Sequence, residues 1–471
     1  MKADKTAIDG DAFELFRARF HGQLVQPGDA EYDSARQVWN GMVDKHPAVI
    51  ARCTGVADVV AAVTFAREQG LLTAIRGGGH NVAGLAMCDG GLVIDLSELR
   101  SVHVDPERKT ARVEAGATWG DVDRETQTFG LIAPGGVVSD TGVAGLTLGG
   151  GYGHTRRKYG LTSDSVRTID LVTAAGEFLT ASPTEHEDLF WALRGGGGNF
   201  GVVTAFEFDL YELGPEVMTV GTMYPLEDAS TLIRRWRDFV ADAVDETSST
   251  AVLWRIPDLT AFPEPLRGRP VFIPSSVYAG PVEEGAKAMQ LLRELGTPIV
   301  DPSGPQTYLE LQTKYDPFFP AGDRYYWKSR YLDDLSGEAI DTMIEAMTKC
   351  PSSRTMVAIR ALGGQIARVD PSETAFTNRD SPFMISIDST WTDPNEDDEN
   401  VQWTQELWDA MAPYATEQIY FNFDMNETGE DVRRATFGEN HERLIEVKNK
   451  YDPENRFRVN QNIRPTVKPG S

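Results

Sequence analysis

Cysteine, long apolar runs and positive charge are what this 471-residue chain has least of. Its three cysteines, Cys53, Cys88 and Cys350, are too few and too scattered for a disulfide framework or a zinc site, so burial is the role expected of each and no metal is expected. No stretch approaches the roughly 18 apolar residues that a membrane span needs. The opening Met1-Lys2-Ala3-Asp4-Lys5 lacks the apolar core of a signal peptide, and a cytoplasmic location is expected. Against 45 basic residues stand 71 acidic ones, a net charge of −26, which argues against nucleic acid or an anionic membrane as partner. Acidic clusters such as Asp397-Asp398-Glu399 read as solvated. Two nucleotide motifs are missing as well. There is no GxxxxGK[ST], and nothing matches strand–GxGxxG–helix with an acidic residue roughly 20 positions on.

Glycine, by contrast, comes in runs. Arg76-Gly77-Gly78-Gly79-His80-Asn81 follows a short apolar strand at residues 71–75 and precedes a second one at 91–96. Three glycines without Cβ atoms let backbone amides turn and approach a ligand's phosphates. A histidine just past such a turn is held where a cofactor ring can meet it; a solvated histidine on a tight turn is the alternative. A second element runs from Thr141-Gly142 through Gly145 to Gly149-Gly150-Gly151-Tyr152-Gly153. It is too apolar for a linker and its glycines are too dense for a helix, so it is expected to pack its backbone on a flat or extended ligand. A third run, Arg194 and Gly195-Gly196-Gly197-Gly198 to Gly201, precedes a strand that begins at Val202. Three such turns within about 120 residues, each beside a strand, suggest one long cofactor lying across several loops.

The length predicts two domains or three. Residues 12–26 read as a helical lead-in, and 56–70 as a helix ending at Gly70. Residues 102–104 with 111–114, and 169–173 with 178–180, read as hairpins. After Gly214-Pro215 the glycine runs give way to helical stretches (229–243, 283–295, 337–348) alternating with strand-like ones (271–278, 355–362, 383–389). The expected organisation is a cofactor domain over 1–211, a substrate domain over 212–420 and a C-terminal module over 421–471 that returns to the first.

Taken together, the three loops, Tyr420-Phe421-Asn422 and the tail at 451–465 resemble the vanillyl-alcohol-oxidase flavoprotein superfamily, in its berberine-bridge-enzyme-like branch, over nearly the whole chain. The resemblance implies an α+β fold in two domains: an FAD-binding domain of two α/β subdomains, and a substrate domain whose antiparallel sheet is covered by helices. It implies FAD bound covalently through His80. The cofactor contacts it carries over are Arg76, Gly77, Gly78, Gly79, His80, Asn81, Ser139, Thr141, Gly142, Gly145, Gly149, Gly150, Gly153, Val202, Asn460 and Asn462. Many relatives have a second flavin bond to a cysteine; Val138 occupies that position, so a single bond is expected.

The chemistry implied is oxidation of an alcohol on a sugar-like or natural-product substrate, with hydride passing to flavin N5 while a base takes the hydroxyl proton. Tyr420 matches the family's tyrosine base, with Asn422 orienting its neighbours. A tyrosine near its reference pKa of about 10 is a poor base at neutral pH and needs a nearby cation or a strong donor, for which Lys328 and Arg379 are candidates. Ser386 sits where plant relatives carry a glutamine or glutamate base. Thr141 falls at the oxygen-gating position and is close to valine in shape, which favours an oxidase that releases hydrogen peroxide. The partners expected are a small-molecule alcohol and dioxygen, acting on a monomer or homodimer. A dehydrogenase with another acceptor, or a flavoprotein that binds and detoxifies a secondary metabolite, are the alternatives.

Overall fold

The computed structural model describes residues 8–260, 262–425 and 430–467. Three large sheets carry it, beside a two-stranded pairing of Leu131–Ile132 with Tyr211–Glu212. In the first, the buried apolar strands Val49–Arg52, Leu92–Asp95 and Thr73–Arg76 lie parallel, and Gln23–Val25 adds an antiparallel edge. The helix Val56–Glu68 crosses between two of them and buries Val59, Ala62, Val63 and Phe65. The expected helical lead-in is shorter than residues 12–26: the helix ends at Arg19, and Gln23–Val25 pairs with Ile50 to Arg52 instead. A second, five-stranded antiparallel sheet holds both hairpins and the strand Val202–Asp209. One apolar core joins these two sheets, and it includes Leu444, Val447, Phe457 and Ile463 from the far end of the chain.

The third sheet is antiparallel, has eight strands and is built wholly between Glu216 and Trp391. Its two faces do different work. Leu253, Val357, Ile359, Ile385 and Ile387 point to one side, where the helices Ala229–Asp242, Gly337–Thr348 and Asp397–Ala410 cover them with Trp236, Ile340, Met343 and Trp403. The alternate positions Trp254, Ile273, Tyr325, Trp327 and Met356 face the other way and pack on Trp39, Val82 and Val138 of the first part of the chain. Period-two alternation thus gives the sheet a helix-covered side and a side that meets the glycine loops.

Two expectations are corrected here. The second glycine element does contain a helix, Val143–Leu148. Its glycines lie mainly outside the helical turns, with Gly142 at the N-cap and Gly149 at the C-cap, and only Gly145 sits inside. The acidic run at 397–399 opens the helix Asp397–Ala410, where carboxylates suit the positive end of the helix dipole. Asp397 is not simply solvated: it pairs with Arg324 and accepts from Trp391 Nε1 at 2.8 Å.

The C-terminal segment is fastened by a buried ammonium. Lys448 Nζ donates to Asn199 O (2.8 Å), Phe457 O (2.9 Å) and Asp452 Oδ2 (2.6 Å), and both charged side chains are 0% exposed. Asp452 in turn accepts from the amides of Arg456 and Phe457. Removing one partner of such a pair strands the other charge in the core. Lys448→Met is therefore expected to lower unfolding stability by about 3–5 kcal/mol in urea denaturation. The double variant Lys448→Met/Asp452→Leu should recover part of that loss.

Candidate active site

Where the first and second glycine elements meet, Gly78 and Gly142 touch through backbone alone. A Cβ on Gly78 would fall 2.6 Å from Gly142 N and Cα, and one on Gly142 would fall 2.4 Å from Gly78 N. No side chain larger than hydrogen fits at either place. The contact forms one wall of a cavity of about 260 Å³. Gly77, Gly78, Gly79, His80 and Asn81 line it from the first loop, and Thr141, Gly142 and Gly145 from the second. Gly197 and Gly198 add the third loop, and Asn460 the C-terminal segment.

The opposite wall comes from the eight-stranded sheet and the residues that follow it. Trp327, Arg360, Asp388, Tyr420, Asn422 and Phe423 all border the cavity, as does Phe319. Trp327 and Asp388 are direct partners on neighbouring strands, and Arg360 lies two pairs along on the same face.

Not every sequence candidate reaches this space. Lys328 does not line it: one step from Trp327, it is paired with Ile387 and points to the helix side, where Nζ lies 4.7 Å from the Trp408 ring centre and 3.9 Å from Asp424. Strand alternation is the reason. Arg379 is fully buried elsewhere, bonded to Asp164 at 2.7 Å. Arg76 donates to Ala35 O at 2.8 Å, and Ser139 is tied to Asp316 through Oγ (2.6 Å) and its amide (2.9 Å). Gly149, Gly150 and Gly153 make room for Asn422, Phe376 and Gly135 and lie outside the cavity lining. Val202 turns away from the cavity, whereas its neighbour Val203 lines it, and Asn462 also lies outside.

Tyr420 is buried, and its hydroxyl accepts from Asn422 Nδ2 at 3.0 Å. Burial pushes the phenol up to about 12, although Asn422, the amides of Gly151 and Tyr152, and the charge of Arg360 all oppose it. A tyrosine base needs the opposite shift, so at neutral pH this side chain is a hydrogen-bond donor. The cation near it is Arg360, which sequence reasoning missed. Arg360 Nη1 donates to Ser386 Oγ at 2.5 Å, and Nη2 lies 3.8 Å from Asp388 Oδ2. Asp388 is itself a second omission. Its carboxylate is buried, its Oδ1 has no hydrogen-bond partner among the described residues, and burial raises its pKa against the pull of Arg360. A buried carboxylate that borders a cavity, is held near a guanidinium and is incompletely hydrogen-bonded among the described residues is suited to accepting a proton from a bound ligand.

His80 stacks on Trp39 with ring centres 4.2 Å apart, and Nε2 lies 3.0 Å from Asp140 Oδ1. Trp39 continues the stack onto Tyr325 at 3.6 Å and is pinned by its indole N–H to Phe319 O at 2.8 Å.

The cavity fits a long, flat group carrying phosphates. Glycine backbone lines it, the positions where Gly145 and Gly198 would carry a Cβ are open, and Asn460 Oδ1 is buried without a hydrogen-bond partner among the described residues. Residues 47–182 match the model of an FAD-binding domain, and residues 419–464 match that of berberine and berberine-like proteins. The FAD-linked oxidoreductase YgaK of Bacillus subtilis (strain 168) is 32% identical, over 95% of this chain and 98% of its own. Berberine bridge enzyme-like 3 of Arabidopsis thaliana is 31% identical, over 90% of this chain and 85% of its own. Among solved structures, 6-hydroxy-D-nicotine oxidase from Arthrobacter nicotinovorans superposes with a TM-score of 0.84 at 27% identity, covering 94% of this chain and 98% of that one. Cofactor loops and C-terminal segment, brought together around one cavity, match over almost the full length of such proteins, and the chain belongs to the berberine bridge enzyme-like family of FAD-linked oxidoreductases.

Proposed function

We propose that this protein is an FAD-dependent oxidase of a hydroxyl group on a largely apolar small molecule, with the flavin bonded to His80 and dioxygen as final electron acceptor. The observation that carries the reading is Asp388: a buried carboxylate that borders the cavity on the sheet face turned toward the glycine loops, with one oxygen lacking a hydrogen-bond partner among the described residues. Bound FAD supplies the hydride acceptor; the remaining tasks fall to the chain's own side chains.

Trp327, Phe319 and Phe423 form apolar walls that exclude water and hold a ring-bearing substrate. So aromatic a wall favours a natural-product alcohol over a sugar, whose many hydroxyls would each need a partner. The Asp388 carboxylate accepts the substrate's hydroxyl proton. Tyr420, kept neutral by burial, donates to the substrate oxygen as negative charge builds on it, and Asn422 fixes the phenol's direction. Arg360 counters the charge on both sides. Thr141 borders the cavity with a short side chain, which leaves room for oxygen to approach and supports peroxide release. A dehydrogenase would turn over with a dye acceptor and release no peroxide.

Asp388→Asn is expected to lower kcat/KM by about 10²- to 10⁴-fold while leaving the flavin bound. Because burial raises the Asp388 pKa, wild-type activity should fall toward acid pH sooner than for an ordinary carboxylate, and the variant's residual rate should lose that limb. A variant with the wild-type pH profile would remove Asp388 from this role. A separate expectation concerns the cradle. Gly142→Ala places a methyl group against Gly78, and the purified variant should retain little flavin absorbance while keeping its far-ultraviolet circular dichroism.

A further inference from the structure

We propose that Asp140 is the positioning residue for covalent flavin attachment: it sets the tautomer and orientation of His80 and then serves as counter-ion to the imidazolium that the new bond creates. This rests on the reading above that His80 carries the flavin.

Two constraints hold the His80 ring. The stack on Trp39, with an interplanar angle of 20°, fixes the plane of the imidazole, and the contact from Nε2 to Asp140 Oδ1 at 3.0 Å fixes its rotation in that plane. A carboxylate only accepts, so in the neutral imidazole Nε2 carries the hydrogen and the lone pair is on Nδ1. Nδ1 makes no hydrogen bond among the described residues, so it is the nitrogen available to the cavity that His80 lines.

Asp140 is held in place from both sides. Ser139 is bonded to Asp316 through its amide and hydroxyl, and Thr141 O accepts from Trp119 N at 3.0 Å. The Asp140 side chain is 52% exposed and lies outside the cavity lining, so it acts on the ligand only through His80. With Val138 where a second anchoring cysteine would stand, attachment depends on this one imidazole.

The Nδ1 lone pair forms the bond to the flavin 8α carbon, which loses one hydrogen as a proton. The C–H electron pair stays on the ring system, which is reduced by two electrons and reoxidised by dioxygen, giving hydrogen peroxide. The imidazole, bonded at Nδ1 and still protonated at Nε2, becomes a cation. Asp140 neutralises that charge at hydrogen-bond distance.

The test follows covalent incorporation in full-length wild type and in Asp140→Ala, Asp140→Asn and Asp140→Glu, each incubated with FAD. The readouts are flavin retained in the acid-precipitated protein and the intact-mass adduct over time. Wild type should become fully adducted. Asp140→Ala and Asp140→Asn should bind FAD reversibly but attach it about 10- to 100-fold more slowly, the alanine variant being the slower. Asp140→Glu should restore part of the rate, which a purely structural role would not predict. Attachment at the wild-type rate in either the Ala or the Asn variant overturns the proposal while leaving the His80 reading intact. Wild-type protein that releases all its flavin into the acid supernatant overturns both.

Discussion

Backbone meeting backbone at Gly78 and Gly142 is the constraint from which the rest of the site follows. Because the two loops approach within the width of a missing Cβ, they present amides and one imidazole to a shared space instead of packing side chains into it. The helix Val143–Leu148 starts at that contact, which fixes where Thr141 and Gly145 stand. The C-terminal segment closes the same space because Lys448 and Asn199 hold it against the third loop, with Ile463 N bonded to Asn199 Oδ1 at 3.0 Å and Asn460 Nδ2 to Gly198 O at 2.9 Å.

Facing that cradle, the large sheet separates stability from chemistry by strand period. Its branched aliphatic positions are buried under helices, and the alternate positions carry Trp327, Arg360 and Asp388. Placing a guanidinium and a carboxylate inside a protein is costly unless they are paired and hydrogen-bonded. Here the pair is loose, at 3.8 Å, and one carboxylate oxygen has no hydrogen-bond partner among the described residues. Such incomplete satisfaction is typical of sites where a ligand completes the network.

Much of this was legible in the residues. The glycine runs, the helix at 56–70 and both hairpins announce themselves through composition and period, and the glycine loops with the C-terminal tail carried the family resemblance. What was not legible depends on register. The strand Arg324–Leu332, with the sequence RYYWKSRYL, is buried on both faces and shows no apolar alternation, so nothing local says which way Lys328 points. Only its pairing with Ile387 decides that. Arg360 and Asp388 lie in stretches readable as strands, but their shared face is set by antiparallel pairing between distant segments. Tyr420 was found by motif, yet its raised pKa comes from burial by residues far away in the sequence.

In the proposed arrangement the flavin ring lies between the glycine loops and the wall of Trp327, Arg360 and Asp388, joined to His80. A crystal structure of the flavin-loaded protein tests it most directly. The expected map shows continuous density from His80 Nδ1 to the 8α carbon, with the reactive face of the ring turned toward Asp388. A ring seated elsewhere, or a His80 imidazole with no density joining it to the flavin, would contradict it.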